Sequence, residues 1–358
     1  MALFALALVA SASAQTATVS GTVLDADGAP LAGASVYLSG TTRGDAADRE
    51  GRFEILNVDP GAYRLVASLV GYDPALEDIT LTPGADLEVT LTLEAGLELG
   101  DVEVEAEFDD AWLGQFDRFF TAIVGESWRS DSTLVLNPEV LSFQERGNLL
   151  TATASAPVVF ENRALGYRLT YDLRVFEARP DRIRYDGDEL FEDLEPASWR
   201  DTERWRQERV AAYSGSGNHF FRSLLAGTFA EEGFSISLIA PDRRSVGPAP
   251  DDLFTVRDDG WGTLRAPGVL MVTYAEEEDP AYLWSEWFQE DRDLTSPIQR
   301  SFLQTEETTV LVDPQGTPTD PFAISAGGYL GFERLADRVP EDYDPDGPGA
   351  DEFAPTDF

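Results

Sequence analysis
The 358-residue sequence predicts a mainly β protein with α+β character: a β-sandwich in front, then a larger domain of mixed strands and a few helices. Three observations predict this. Residues 16–107 break into short alternating runs separated by Gly, Pro and Asp turn signals. From residue 109 onward, apolar residues recur at helical spacing and then strand-like and helix-like stretches interleave. Hydrophobic residues make up 43% and aromatics 11%, enough for buried cores in about two domains.

The chain opens on an apolar run, Met1 to Ala10, followed by Ala12-Ser13-Ala14 before Gln15. A short apolar run ending in a small-x-small triplet reads as a signal peptide over 1–14, with export as its consequence. It lacks a basic residue at its start, and it is shorter than the ~20 apolar residues that span a bilayer.

Residues 15–108 form the predicted sandwich. Ala17 to Leu24 alternates, and Asp25 to Pro30 supplies a turn. Ala34 to Leu38 is the second strand. Asp48-Arg49-Glu50-Gly51 turns into Arg52 to Leu56, and Asp59-Pro60-Gly61 turns into Tyr63 to Ser68. Ile79 to Leu81 and Leu87 to Leu93 complete the set. Gly28, Gly51 and Gly61 are expected to supply turn angles, and Phe53 and Tyr63 to fill the space between the sheets.

Gly21-Thr22-Val23, Pro30 to Val36, Asp48 to Phe53, Pro60 to Tyr63 and Val70-Gly71-Tyr72 together resemble the carboxypeptidase regulatory-like domain. The resemblance implies a transthyretin-like sandwich, with an exit strand in Leu97 to Val104. It also implies the context in which such domains are common, the N-termini of exported and outer-membrane proteins of the Bacteroidetes. It implies no activity. The catalytic zinc site of the carboxypeptidases themselves needs two His and a Glu, and this chain has 1 His and 0 Cys, so that site cannot be built.

Residues 109–340 are the predicted α+β domain. Asp109-Asp110 stand before Trp112, Phe116, Phe119, Phe120 and Ile123, which is an amphipathic helix with an acidic first turn. Strands are expected at Val140 to Phe143, Leu149 to Thr153, Pro157 to Glu161 and, most clearly, Tyr167 to Phe176. Helices are expected at Trp199 to Tyr213 and Asn218 to Ala226. Phe234 to Ile239, Val269 to Tyr274 and Thr308 to Val312 return to strand. Residues 341–358, rich in Asp, Pro and Gly, read as an acidic flexible tail.

Composition excludes several function classes. There are 66 Asp plus Glu against 26 basic residues, all Arg, giving a net charge of -40. Nucleic acid and anionic membrane surfaces are repelled by such a field. Without Cys there are no disulfides, thiolate zinc sites or iron–sulfur clusters. The acid excess with Arg as the only basic side chain has two readings: halophilic adaptation, since salt screens self-repulsion, and a GC-rich genome that favours Arg over Lys codons.

Four groups of residues are candidates for chemistry. His219, close to Ser216, invites a hydrolase reading, but the Gly that a nucleophile elbow needs two residues before Ser216 is replaced by Ser214. The expected role of Ser216 or Asn218 is a helix cap, with His219 at the helix start. Trp284 and Trp287 are the ligand-binding candidates for a glycan or peptide. Asp342, Asp344 and Asp346, in Asp342 to Gly347, match the first half of a calcium loop, although position twelve is Phe353. Arg200, Arg204, Arg206 and Arg209 interleave with Asp201, Glu203 and Glu208, as in an ion-paired helix.

The function expected from these readings is a non-enzymatic exported cell-envelope protein, in the periplasm or at the cell surface. Its partner would be an envelope protein, peptide or glycan, with no cofactor other than calcium. The alternatives are a glycan- or peptide-binding surface protein and a hydrolase.

Overall fold
The computed structural model describes residues 16–96, 108–239, 246–248, 252–266, 268–278, 298–305 and 309–347. The expected signal segment, the expected exit strand at 97–104, Trp284 and Trp287 lie outside the described residues. The chain divides into two compact units: Met1–Val36 with Arg43–Ala95, and Tyr37–Thr42 with Gly96–Phe358. Among the described residues, no helix is long and apolar enough to cross a membrane.

The first unit is built from β1 (Ala17–Asp25), β2 (Ser35–Leu38), β3 (Gly44–Ala46), β4 (Arg52–Val58), β5 (Gly61–Ser68), β6 (Tyr72–Asp73), β7 (Ala75–Leu81) and β8 (Asp86–Ala95). They form two four-stranded sheets, ordered β4-β1-β8-β6 and β3-β2-β5-β7. The period-2 pattern read in the sequence is what makes this possible, because each strand turns one apolar face inward. In β8 the buried residues are Val89, Leu91 and Leu93, with Glu88, Thr90 and Thr92 exposed between them. First and last strands lie side by side: β1 pairs with β8 in parallel, from Thr18↔Asp86 to Asp25↔Leu93.

Phe53 and Tyr63 are both buried, and the Tyr63 hydroxyl donates to Asp59 O at 2.9 Å. Gly21 is required for closeness: a Cβ there would lie 2.0 Å from Val89 O and 3.0 Å from the Phe53 ring. Gly51 turns with φ 76°, and a Cβ on it would meet Val23 O at 2.5 Å. Gly61 does not belong to a positive-φ turn; it opens strand β5.

The second unit begins its helical part with α1 (Asp110–Val124), followed by β9 (Thr133–Val135), β10 (Leu141–Arg146), β11 (Leu149–Ala154), β12 (Val158–Asn162), β13 (Tyr167–Arg179) and β14 (Arg182–Asp193). Then come α2 (Trp199–Tyr213), α3 (Gly217–Ala226), β15 (Phe234–Ile239), β16 (Val246–Pro248), β17 (Phe254–Val256), β18 (Gly262–Leu264) and β19 (Val269–Glu278). The last elements are β20 (Ile298–Thr305), β21 (Val310–Val312), β22 (Ile324–Gly328) and the short α4 (Tyr329–Phe332).

Asp109 caps α1, its carboxylate accepting from Trp112 N at 2.7 Å, as the acidic helix start implies. The helix lays Phe119 and Ile123 into a core with Leu150, Phe160, Leu169 and Phe191. That core belongs to a sheet ordered β10-β11-β13-β12-β9, with β14 on β13. Strand β13 is 13 residues long and its one edge is shared. β12 takes the first half, from Val158↔Tyr171 to Asn162↔Tyr167, and β11 takes Ala178 and Glu177. β14 runs along the whole other edge, from Tyr167↔Asp193 to Arg179↔Arg182, with a register shift between Leu173 and Val175.

A second core joins Phe220 and Leu224 of α3 to Phe234, Leu270, Leu303 and Val312. It is covered by the sheet β16-β15-β19-β20-β22 and by the small sheet β17-β18-β21. The expected strand at Thr308 to Val312 begins only at Val310.

The expected flexible tail from residue 341 is corrected for its first residues. Glu341 N donates to Gly40 O at 2.7 Å, and Arg222 donates to the carbonyls of Glu341 and, at 2.7 Å, Tyr343. The Tyr343 ring lies 5.8 Å from that of Tyr213. An aromatic side chain and backbone carbonyls taken up by one guanidinium hold this stretch in place, which composition alone does not reveal.

Candidate functional site
The only imidazole of the chain sits where α3 begins. Ser216 is the helix N-cap, its hydroxyl accepting from His219 N at 3.2 Å. The His219 ring then turns inward, against Tyr213 at 4.9 Å, Phe234 at 4.8 Å and Tyr274 at 5.6 Å between centroids. Both ring nitrogens are engaged. Nδ1 accepts from Gly215 N at 2.9 Å, which places the ring proton on Nε2, and Nε2 donates to Glu232 Oε2 at 2.7 Å. Thr228 Oγ1 donates to the other oxygen of Glu232. Burial holds the imidazole below its ordinary pKa, with Glu232 opposing that shift.

This geometry is a clasp. It ties the 213–217 loop, helix α3 and the 228–232 turn together. A serine protease-type arrangement needs one ring nitrogen facing the nucleophile, and here neither nitrogen is left for Ser216.

The other sequence-selected residues are placed as follows. Trp284 and Trp287 lie outside the described residues. Asp342 is engaged by a partner distant in sequence: its carboxylate accepts from Thr42 N at 2.9 Å and from Thr42 Oγ1 at 2.6 Å. Asp344 accepts from Asp346 N at 2.9 Å, closing a turn. The structure does not converge Asp342, Asp344 and Asp346 on one point. Among the described residues, no three His, Cys, Asp or Glu side chains converge to hold a metal ion. Of the described Trp residues, Trp205 is buried and donates to Arg163 O at 2.9 Å. Trp199 is 69% exposed and Trp128 is 50% exposed, each with an arginine over its ring, Arg200 at 5.5 Å and Arg129 at 5.1 Å.

Arg204, Arg206 and Arg209 of α2 are ion-paired. Arg204 meets Asp201 at 3.0 Å, Arg206 meets Glu203 at 2.9 Å, and Arg209 meets Asp193 at 2.7 Å. Arg209 also donates to Leu165 O and Gly166 O at 2.7 and 3.0 Å.

The second unit also contains buried charge that the sequence reading missed. Arg174 pairs with Asp186 at 2.8 Å and with the buried Asp188. Arg338 pairs with the buried Glu189 at 2.5 Å. Arg129, on the turn after α1, meets Asp337 at 3.0 Å and Glu208 at 3.1 Å. Glu277 and Glu333 share its surroundings; both are pushed up by burial, and Arg129 lowers each in part. One local signal was available for Arg174: it sits at an outward position of a clean period-2 run beside Asp172. For Arg129 there was none.

Comparison with known proteins identifies the first unit. Residues 18–94 match the family model of the carboxypeptidase regulatory-like domain. No curated protein matches the chain. Among solved structures, the chain is similar to a type II Cohesin-X-Dockerin complex from Acetivibrio cellulolyticus, at 26% identity and TM-score 0.21, over 22% of this chain and 58% of that one. It is similar to the minor pilin of Streptococcus agalactiae at 19% identity and TM-score 0.20, over 23% and 45% of the two chains. It is similar to a putative carbohydrate binding protein from Bacteroides uniformis at 10% identity and TM-score 0.19, over 50% and 80%. The match thus spans just over half the length of the first of these structures.

Proposed function
We propose that this chain, whose residues 18–94 form a carboxypeptidase regulatory-like domain, is a non-catalytic binding or structural protein exported to the cell envelope. The observation that carries the reading is the engagement of His219. The single histidine of the chain has both ring nitrogens committed inside an aromatic pocket. The domain assignment supports it, since that resemblance brings a sandwich and no catalytic set. The Met1 to Ala14 segment supports the export part.

Glycan or peptide binding is the second reading, favoured by Trp199 and Trp128, whose indoles are open to solvent with guanidinium groups over them. The test pairs binding with turnover. The chain lacking residues 1–14 is offered a panel of envelope glycans and peptides by calorimetry, and in parallel ester, peptide and glycoside substrates. Saturable binding without turnover is expected. Turnover abolished by His219→Ala in a variant that remains folded would overturn the reading. Retention of the full chain in the cytoplasm on fractionation would overturn export.

A further inference from the structure
The Tyr329–Tyr343 stretch closes the second unit, and its middle is fastened by charge. Leu335, Ala336 and Val339 enter the apolar core, and Asn162 donates to Ala336 O at 2.8 Å. Beside them Asp337 reaches Arg129 at 3.0 Å.

Every element around that contact brings a polar group. The turn after α1 brings Ser127 and Arg129, and α2 brings Glu208 at 3.1 Å from Arg129. β19 brings Glu277, which accepts from Gln299 of β20 at 3.1 Å. The closing stretch itself brings Glu333 and Asp337, while the Arg334 stem packs on Gly125. One guanidinium therefore faces four carboxylates. Asp337 Oδ2 and Ser127 Oγ, in residues only 4% and 3% exposed, interact without completing a well-formed hydrogen bond, and Arg129 Nε is also left without a partner.

Four negative charges, one buried and three half-buried, crowd one positive charge and repel where water is scarce. A proton on one carboxylate removes one of these charges and so relieves that repulsion.

We propose that this cluster is a proton-operated fastening, in which protonation among Glu333, Asp337 and Glu277 seats the 329–343 stretch and deprotonation loosens it. The direction of the titrations agrees. Burial lifts Glu333 well above the ordinary carboxylate range, and Asp337 and Glu277 add repulsion that Arg129 only partly offsets. Asp337 and Glu277 are raised by burial as well. Groups raised in the folded state hold protons that the unfolded chain releases. Their stabilising effect is complete below the ordinary carboxylate pKa of about 4 and is lost as pH rises through the raised values.

Hydrogen exchange of the wild-type chain in about 1 M NaCl tests this, because salt screens the surface field and leaves buried pairs. Between about pH 5.5 and about pH 8, after correction for intrinsic rates, amides of 333–339 should lose at least ~10-fold protection while those of β13 do not. Glu333→Gln, which fixes the neutral state, should remove that dependence, with Glu277→Gln as the second variant. Equal protection of the stretch at both pH values would overturn the proposal. So would an unchanged pH dependence in both variants. Protection restored at about pH 8 by calcium alone would assign the cluster to a cation and overturn the proton reading. If neither variant folds, the wild-type exchange data decide.

Discussion

His219 shows how one side chain is fixed by its surroundings. Its backbone N–H is capped by Ser216, its Nδ1 is taken by Gly215, and its Nε2 proton goes to Glu232. Because it is the only histidine, a single imidazole spin system reports on it. By NMR that ring is expected to be the Nε2–H tautomer and to titrate below the ordinary value of about 6.5. A titration at or above that value would contradict the clasp. The sign follows from burial: the unfolded chain takes up this proton more readily, so the clasp's contribution is present above about pH 6.5 and lost as pH falls. His219→Ala should cost roughly 1–3 kcal/mol by urea unfolding, since it removes the partner of the Gly215 N–H and the imidazole contact of Glu232 Oε2. The location of His219 at a helix start was legible from Ser216, Gly217 and the apolar pair Phe221 and Leu225. Its carboxylate partner was not, because Glu232 reaches it through a turn that carries no capping signal.

At the scale of elements, the contrast between β13 and β14 is instructive. β13 alternates Leu169, Tyr171 and Leu173 with polar residues and is readable as a strand from its sequence. β14, at 12 residues nearly as long, is not, because Gly187, Asp188 and Glu189 break its pattern. The structure accommodates them through tertiary partners: Arg174 takes Asp186 and Asp188, and Arg338 takes Glu189. Gly187 is needed for space. A Cβ there would lie 2.5 Å from Asp172 O and 2.5 Å from the Tyr171 ring. Gly187→Ala is therefore expected to destabilise the second unit by ~1–3 kcal/mol, measured by thermal or urea unfolding. A neutral result would mean that the hairpin shifts freely at its irregular register. The same lesson covers the Arg129 cluster. Arg129 and Asp337 stand 208 residues apart, and Glu208 and Glu277 lie between them in sequence, so no local period joins them. Helix ends, strand periods and turn residues are short-range physics and are written locally. Pairing of buried charge is long-range and is settled only when the sheets assemble.

For the whole molecule the dominant quantity is the charge of -40. It belongs to the chain after residue 14, since Met1 to Ala14 contain no charged side chain. Exposed carboxylates repel one another over roughly 8–10 Å in physiological salt and much less in molar salt. Tm is expected to rise from low salt to about 1 M NaCl, by several degrees, and an unchanged Tm would dissociate the acid excess from salt adaptation. The sandwich domain adds a property of another kind. Because β1 and β8 run parallel and adjacent over eight residue pairs, the start of β1 and the end of β8 lie at opposite ends of one ladder. Tension applied through those two chain ends would slide the strands along each other. Every rung of the ladder then carries load at once, whereas an antiparallel terminal pair would open like a zipper, one rung at a time. Thus the pairing that closes the sheet also makes the domain a shear joint, suited to a place where the chain is pulled.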